Sequence, residues 1–197
     1  AANTVIDYPK EDHILITTDG FKSFVLNTKT LKVDQSLSDR LNYVLEDGFV
    51  NHPTIDKNHN LWVTTNSEPL MCIDLNTIKP KILGYTPAAK ATINSSTITQ
   101  FLQTKDGILI GTSKGLLKYN YAQNLVQEID MPNNNLHVSS LIRTRDERIL
   151  VGTNGRGIWE LLKKNGSMTL HPLYQQTIGI DISYGKIMDM TEDNNGN

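Results

Sequence analysis

The chain has 197 residues, 38% of them hydrophobic and 20% charged, with a formal net charge of -2. That is ordinary globular composition, ample for a buried core, and it excludes a disordered or fibrous chain. No basic stripe supports a nucleic-acid partner, and the longest apolar runs, such as Ile14-Leu15-Ile16, are far too short to span a bilayer.

Taken in order, the chain repeats itself. Thr4-Val5-Ile6-Asp7-Tyr8 reads as a first strand, and a polar turn leads from it into Asp12-His13-Ile14-Leu15-Ile16-Thr17-Thr18. The same form returns as His59-Asn60-Leu61-Trp62-Val63-Thr64-Thr65, as Asp106-Gly107-Ile108-Leu109-Ile110-Gly111-Thr112 and as Glu147-Arg148-Ile149-Leu150-Val151-Gly152-Thr153. From Thr18 to Thr65, Thr112 and Thr153 the spacings are 47, 47 and 41 residues, the period of a four-stranded propeller blade. A turn and another apolar stretch follow each Thr, as in Gly115-Leu116-Leu117-Lys118-Tyr119 and Gly157-Ile158-Trp159-Glu160-Leu161. Polar turns then lead to a short fourth strand, for example Leu31-Lys32-Val33.

Each repeat therefore reads as strands a, b, c and d joined by hairpins. The expected fold class is all-β, a β-propeller with four complete blades at roughly 1–37, 38–86, 87–134 and 135–179 and the first strand of a fifth at 180–197. No helix is expected beyond a turn at Val44-Leu45-Glu46-Asp47-Gly48. The b strands are apolar on consecutive residues, as strands packed on both faces are. The small Gly or Thr ending strand b should let the next backbone approach closely or let a hydroxyl bond a nearby turn. The segment Lys186 to Asn197 matches a strand a and its turn, so the chain is expected to be an arc of a larger, about seven-bladed propeller, able to self-associate through exposed blade faces.

Ile108-Leu109-Ile110-Gly111-Thr112-Ser113-Lys114-Gly115-Leu116-Leu117-Lys118-Tyr119-Asn120 resembles the two-component regulator propeller repeat, as does the terminal Thr191-Glu192-Asp193-Asn194-Asn195-Gly196-Asn197. The resemblance runs blade by blade over the whole chain. Thr17 and Thr64 depart from it where glycine is usual, Glu68-Pro69 replaces a glycine turn, and Pro53 interrupts the second inner strand. It implies the periplasmic sensor part of a Bacteroides-type hybrid two-component histidine kinase, with a second propeller in the parent protein and an oligosaccharide signal. No cofactor is expected.

A ligand on such a scaffold should meet the b–c and d–a loops. Glu68, Lys114, His137, Asn154, Arg156 and Tyr184 are the candidate ligand-binding residues there, because sugars call for planar polar groups and an aromatic face. Trp62 and Trp159 could offer such faces, but their strand positions favour the core. His13, His52, His59, His137 and His171 lack metal-ligand spacing. Gly155-Arg156-Gly157 lacks the strand–loop–helix setting of a phosphate loop. Asp12, Asp106 and Asp146 recur at the a–b turn, where they should accept backbone hydrogen bonds; no nucleophile–base pair or non-repeating acid pair points to catalysis. Lone Cys72 reads as a small buried hydrophobe. The alternatives are a propeller-fold lyase or hydrolase and a protein-interaction scaffold.

Overall fold

The structure, a computed structural model, describes residues 2–20, 22–46, 48–131, 136–164, 167–173 and 184–193. Residues 1–83 and 84–197 form two compact units. In the first, β1 (Ala2–Asp7), β2 (His13–Thr18), β3 (Ser23–Asn27) and β4 (Lys32–Val33) make one antiparallel sheet in chain order. After helix α1 (Gln35–Val44), β5 (Asn51–Ile55), β6 (Asn60–Thr64), β7 (Met71–Asp74) and β8 (Lys79–Pro80) make a second. Leu15, Val25, Leu41, Leu45, Leu61 and Ile73 form the centre of this unit's core.

The second unit opens with β9 (Gly84–Tyr85) and helix α2 (Pro87–Ser95). β10 (Ile98–Gln103), β11 (Gly107–Thr112), β12 (Gly115–Asn120) and β13 (Leu125–Glu128) form an antiparallel sheet, and β9 joins it in parallel beyond β13. β14 (Val138–Arg143), β15 (Ile149–Thr153), β16 (Ile158–Lys164) and β17 (Ser167–Pro172) form the last sheet. Leu109, Leu116, Val138, Leu141, Val151 and Trp159 lie at this unit's core. The expected division at 37/38 falls inside α1, and β9, from the expected second blade, pairs with the third sheet. Residues 184–193 form no strand, although Lys186 bridges to Asn154; the expected last turn, 194–197, lies outside the described residues.

The repeat is built from the same local devices each time. In all four sheets the Thr after strand b bridges the b–c turn with its hydroxyl: Thr18 Oγ1 donates to the Lys22 carbonyl, Thr65 to Glu68, Thr112 to Gly115 and Thr153 to Gly157. Each also accepts a turn amide, from Gly20, Glu68, Lys114 and Arg156. The first three c–d turns start on an Asx side chain, Asn27, Asp74 or Asn120, that accepts turn amides. Those turns then pass through a left-handed non-glycine residue, Leu31, Ile78 or Asn124.

Every first strand carries a β-bulge at its N-terminal end. In the second unit the bulge re-aims a hydroxyl at the next segment. Thr99 Oγ1 donates to the Val138 carbonyl, and Ser139 Oγ donates to the Ile187 carbonyl. The glycines before the strand-end Thr serve the same approach. A Cβ on Gly111 would lie 2.9 Å from Val138 Cγ1, and one on Gly152 would lie 2.7 Å from Ile187 Cγ2. What comes close is thus the side chain that follows, not a backbone. β6 is buried from Asn60 to Val63 and β11 along its whole length, as consecutive apolar residues require; β2 alternates and packs on one face.

The two helices are absent from the sequence expectation, although each has its signals. Leu37, Leu41 and Val44 recur at helical spacing behind Asp34, whose carboxylate caps the Leu37 amide. Thr86-Pro87 is a cap followed by a proline at the first turn. Helix α1 also solves an edge problem. β4 covers only Leu26 and Asn27 of β3, and the Asp34 amide takes the Val25 carbonyl, so the Val25 amide and both Ser23 backbone groups would face outward unpaired. Asn42 accepts the Ser23 amide and donates to the Ser23 carbonyl, both at 2.8 Å, and Ser38 accepts the Val25 amide. Side chains of a helix replace a missing strand.

Asn42→Ala is therefore expected to lower the free energy of unfolding by about 1–3 kcal/mol in urea titrations, because two buried backbone groups lose their partners. Leu31, 75% exposed at φ 55°, has little packing to lose. Leu31→Asn should raise stability by up to about 1 kcal/mol in the same titrations, by relieving a left-handed leucine.

Candidate functional site

The b–c turns stand at one end of the sheets and the a–b and c–d turns at the other. The strand-end Thr holds each b–c turn rigid, so side chains on those turns are displayed from a fixed backbone. Glu68 sits on such a turn in the first unit, its backbone tied to Thr65 and its side chain exposed. The other five candidates belong to the second unit. Lys114 lines a cavity of about 370 Å³ with Gly115 and Met131. His137 and Asn154 are joined by a backbone hydrogen bond from the Asn154 amide to the His137 carbonyl, 2.9 Å.

Arg156 and Tyr184 come together. They line one cavity of about 350 Å³ with Gly155, Trp159 and Pro172. The Gly185 carbonyl accepts the Gly155 and Gly157 amides at 3.3 and 3.1 Å, and the Ile187 amide donates to the Thr153 carbonyl. These bonds hold Tyr184 beside the b–c turn. Beneath it, buried Trp159 donates its indole N–H to the Arg156 carbonyl. Trp159 is thus a wall and a brace for the turn. The Tyr184 side chain is 88% exposed. Its position 28 residues after Arg156 gives the sequence no means of showing that the two meet.

The a–b end of the same unit holds a larger cavity, about 720 Å³, lined by Asp106, Arg148, Glu160, Lys163, Leu161 and Met168 among others. Its charges are matched against one another. Arg148 grips Glu160 through two hydrogen bonds of 2.8 and 3.0 Å. Asp106 accepts from Lys118 at 2.9 Å and faces Lys163 at 3.5 Å. The hydrogen bond from Lys118 is the main cause that holds the Asp106 carboxyl at about 2, against an ordinary 3.8. This end carries structural pairs rather than free groups.

Two of the repeated acids differ from expectation in their partners: Asp12 pairs with Lys29, and Asp106 takes the Thr104 hydroxyl as well as Lys118. Asp146 takes the Thr144 hydroxyl and, as expected, backbone hydrogen bonds at its own residue and at Arg148. At the second a–b turn it is Asp56, 3% exposed, that accepts the Asn58 and Asn60 amides and the Trp62 indole N–H. That bond pins fully buried Trp62 in the core. Burial pushes the Cys72 thiol up to about 12, the value of an inert side chain. Among the described residues no group of His, Cys, Asp and Glu is arranged to hold a metal ion, and no helix is long and apolar enough to cross a membrane.

No protein-family pattern matches the sequence, and no curated protein matches it. Solved structures do. The chain superposes on a domain from B. thetaiotaomicron, described as the extracellular domain of the hybrid two-component system BT4673, with a TM-score of 0.68 and 18% identity over 99% of this chain. The corresponding domain of BT3049 from the same organism gives 0.58 and 19% over 88%. The β-propeller domain of Cps50 (Swd1) from Myceliophteria thermophila gives 0.52 and 16% over 84% of this chain and 55% of that one. The chain shares the fold of β-propeller proteins. It spans about a quarter of the length of the two B. thetaiotaomicron domains, 24% in each case.

The Asp106 pairing makes a pH prediction. A carboxyl lowered in the folded state stabilises the fold above its ordinary value, and that contribution fades as pH falls from about 4 to about 2. Asp106→Asn should therefore cost stability at pH 7, by no more than about 1 kcal/mol because the side chain is 43% exposed. The difference from the parent chain should shrink below pH 4 when thermal unfolding is followed across that range.

Proposed function

We propose that the chain is a non-catalytic ligand-binding part of a periplasmic sensor in a hybrid two-component signalling protein. In this reading it is an arc of a larger propeller and its ligand is an oligosaccharide. The observation that carries the reading is the meeting of Arg156 and Tyr184 over Trp159 in one cavity at the b–c turns. A guanidinium and an aromatic face within one pocket suit a sugar's hydroxyls and its apolar ring face. The structural likeness to extracellular domains of two-component systems supports the sensor setting. The matched charges at the a–b end support a binding role over a hydrolytic one, since Asp106, Glu160 and Arg148 are already engaged.

Thermal unfolding of the chain with a panel of neutral and acidic oligosaccharides tests this. A ligand at about a hundred times its dissociation constant should raise Tm by roughly 5–10 °C. Mass spectrometry should recover that glycan at its starting length. A shortened glycan would overturn the non-catalytic reading, and no shift with any glycan would overturn the saccharide reading.

A further inference from the structure

The sign of the charge around each cavity separates one from the rest. Five cavities lie among the described residues of the second unit, and four of them have carboxylates in their walls, from Asp106, Asp130, Asp146 or Glu192 among others. The cavity at Arg156 and Tyr184 has none among its described lining residues, and Arg156 is its only charged one. On a chain of net charge -2, this is a local reversal of sign.

The Arg156 guanidinium also differs from the other arginines. Arg40 donates to the Thr77 carbonyl, Arg143 faces Glu147, Arg148 is gripped by Glu160, and Arg145 is engaged as well. Among the described residues, the Arg156 guanidinium alone of the five has no partner. Yet its backbone is among the best held in the unit: its amide is bonded to the Thr153 hydroxyl and its carbonyl to the Trp159 indole. Gly155 lies at φ +95°, and among the described residues no atom beyond Gly155 and its two chain neighbours comes within 4 Å of the place a Cβ would take. A free planar cation on a braced turn, flanked by an exposed phenol ring, presents two parallel N–H donors to a flat or tetrahedral anion.

We propose that this cavity binds an acidic sugar residue, its carboxylate or sulfate held by the Arg156 guanidinium and its pyranose face laid against the Tyr184 ring. The proposal rests on the ligand-binding reading above and narrows it to anionic saccharides. Arg156 supplies the choice of charge, and Tyr184 supplies affinity that is indifferent to charge.

Calorimetric titration of the chain with tetragalacturonate and with its methyl ester tests the division, because esterification removes the charge and adds only a methyl group at each carboxyl. A sulfated chondroitin tetrasaccharide and its desulfated form make the second pair. The acidic member of at least one pair should bind at least tenfold more tightly than its neutral form. Arg156→Ala should weaken the acid by about ten- to a hundredfold and abolish the preference, while Tyr184→Ala weakens acid and neutral forms alike. A preference seen only in the galacturonate pair identifies a carboxylate as the anion, and one seen only in the chondroitin pair identifies a sulfate. Neutral forms that bind as tightly as their acids, or an Arg156→Ala chain that keeps full affinity for the acid, would overturn the proposal; if Tyr184→Ala still weakened binding, the saccharide reading would stand without it. A chain that binds neither pair while unfolding at its normal temperature would overturn both.

Discussion

The strand-end threonine hydroxyl is the interaction on which the rest depends. Thr18, Thr65, Thr112 and Thr153 each close the turn that follows strand b by donating a hydrogen bond to one turn carbonyl and accepting one from a turn amide. One side chain thereby bonds two backbone groups of the turn, and the Glu68 and Gly157 carbonyls take the Thr65 and Thr153 amides as well. Turns as different in sequence as Glu68-Pro69 and Gly155-Arg156 carry the same pair of bonds. That constancy is what lets a repeat display different chemistry at the same place in successive sheets.

A second constraint is the packing of one sheet's inner strand against the next segment. In the second unit it is met by a bulge that turns a hydroxyl outward and by a glycine that makes room for the following side chain. Thr99 with Gly111 receives Val138, and Ser139 with Gly152 receives Ile187. The same contact that secures residues 185–187 carries Tyr184 to the Arg156 turn. The candidate site is thus a by-product of the repeat's own packing rule, and its chemistry comes from two residues that the rule leaves unconstrained.

Much of the repeat was legible in the sequence because hairpins are local. Turn residues, strand patterns and the Gly-Thr or Thr-Thr endings lie within a few residues of what they bond, so spacing alone reveals them. Helix signals are present too, in Leu37, Leu41 and Val44 behind Asp34, but they occur once between strand signals that repeat, so the period of the chain does not mark them. The role of Asn42 was not legible. Its amide replaces a strand partner for Ser23, 19 residues away, and nothing in an Asn at that position distinguishes it from a solvated one.

The sequence by itself determined the sheets, their turns and the small residues at the strand ends, since each follows from the propensities and hydrogen bonds of near neighbours. It also held every residue of the candidate site. Only the tertiary structure decided which of those residues meet. Arg156 and Tyr184 converge while Lys114 faces a different cavity, and Arg148 is neutralised by Glu160 while Arg156 has no ionic partner among the described residues. Both outcomes depend on where separate segments come to rest, because a charge is matched or left open by what packs beside it and not by its neighbours along the chain.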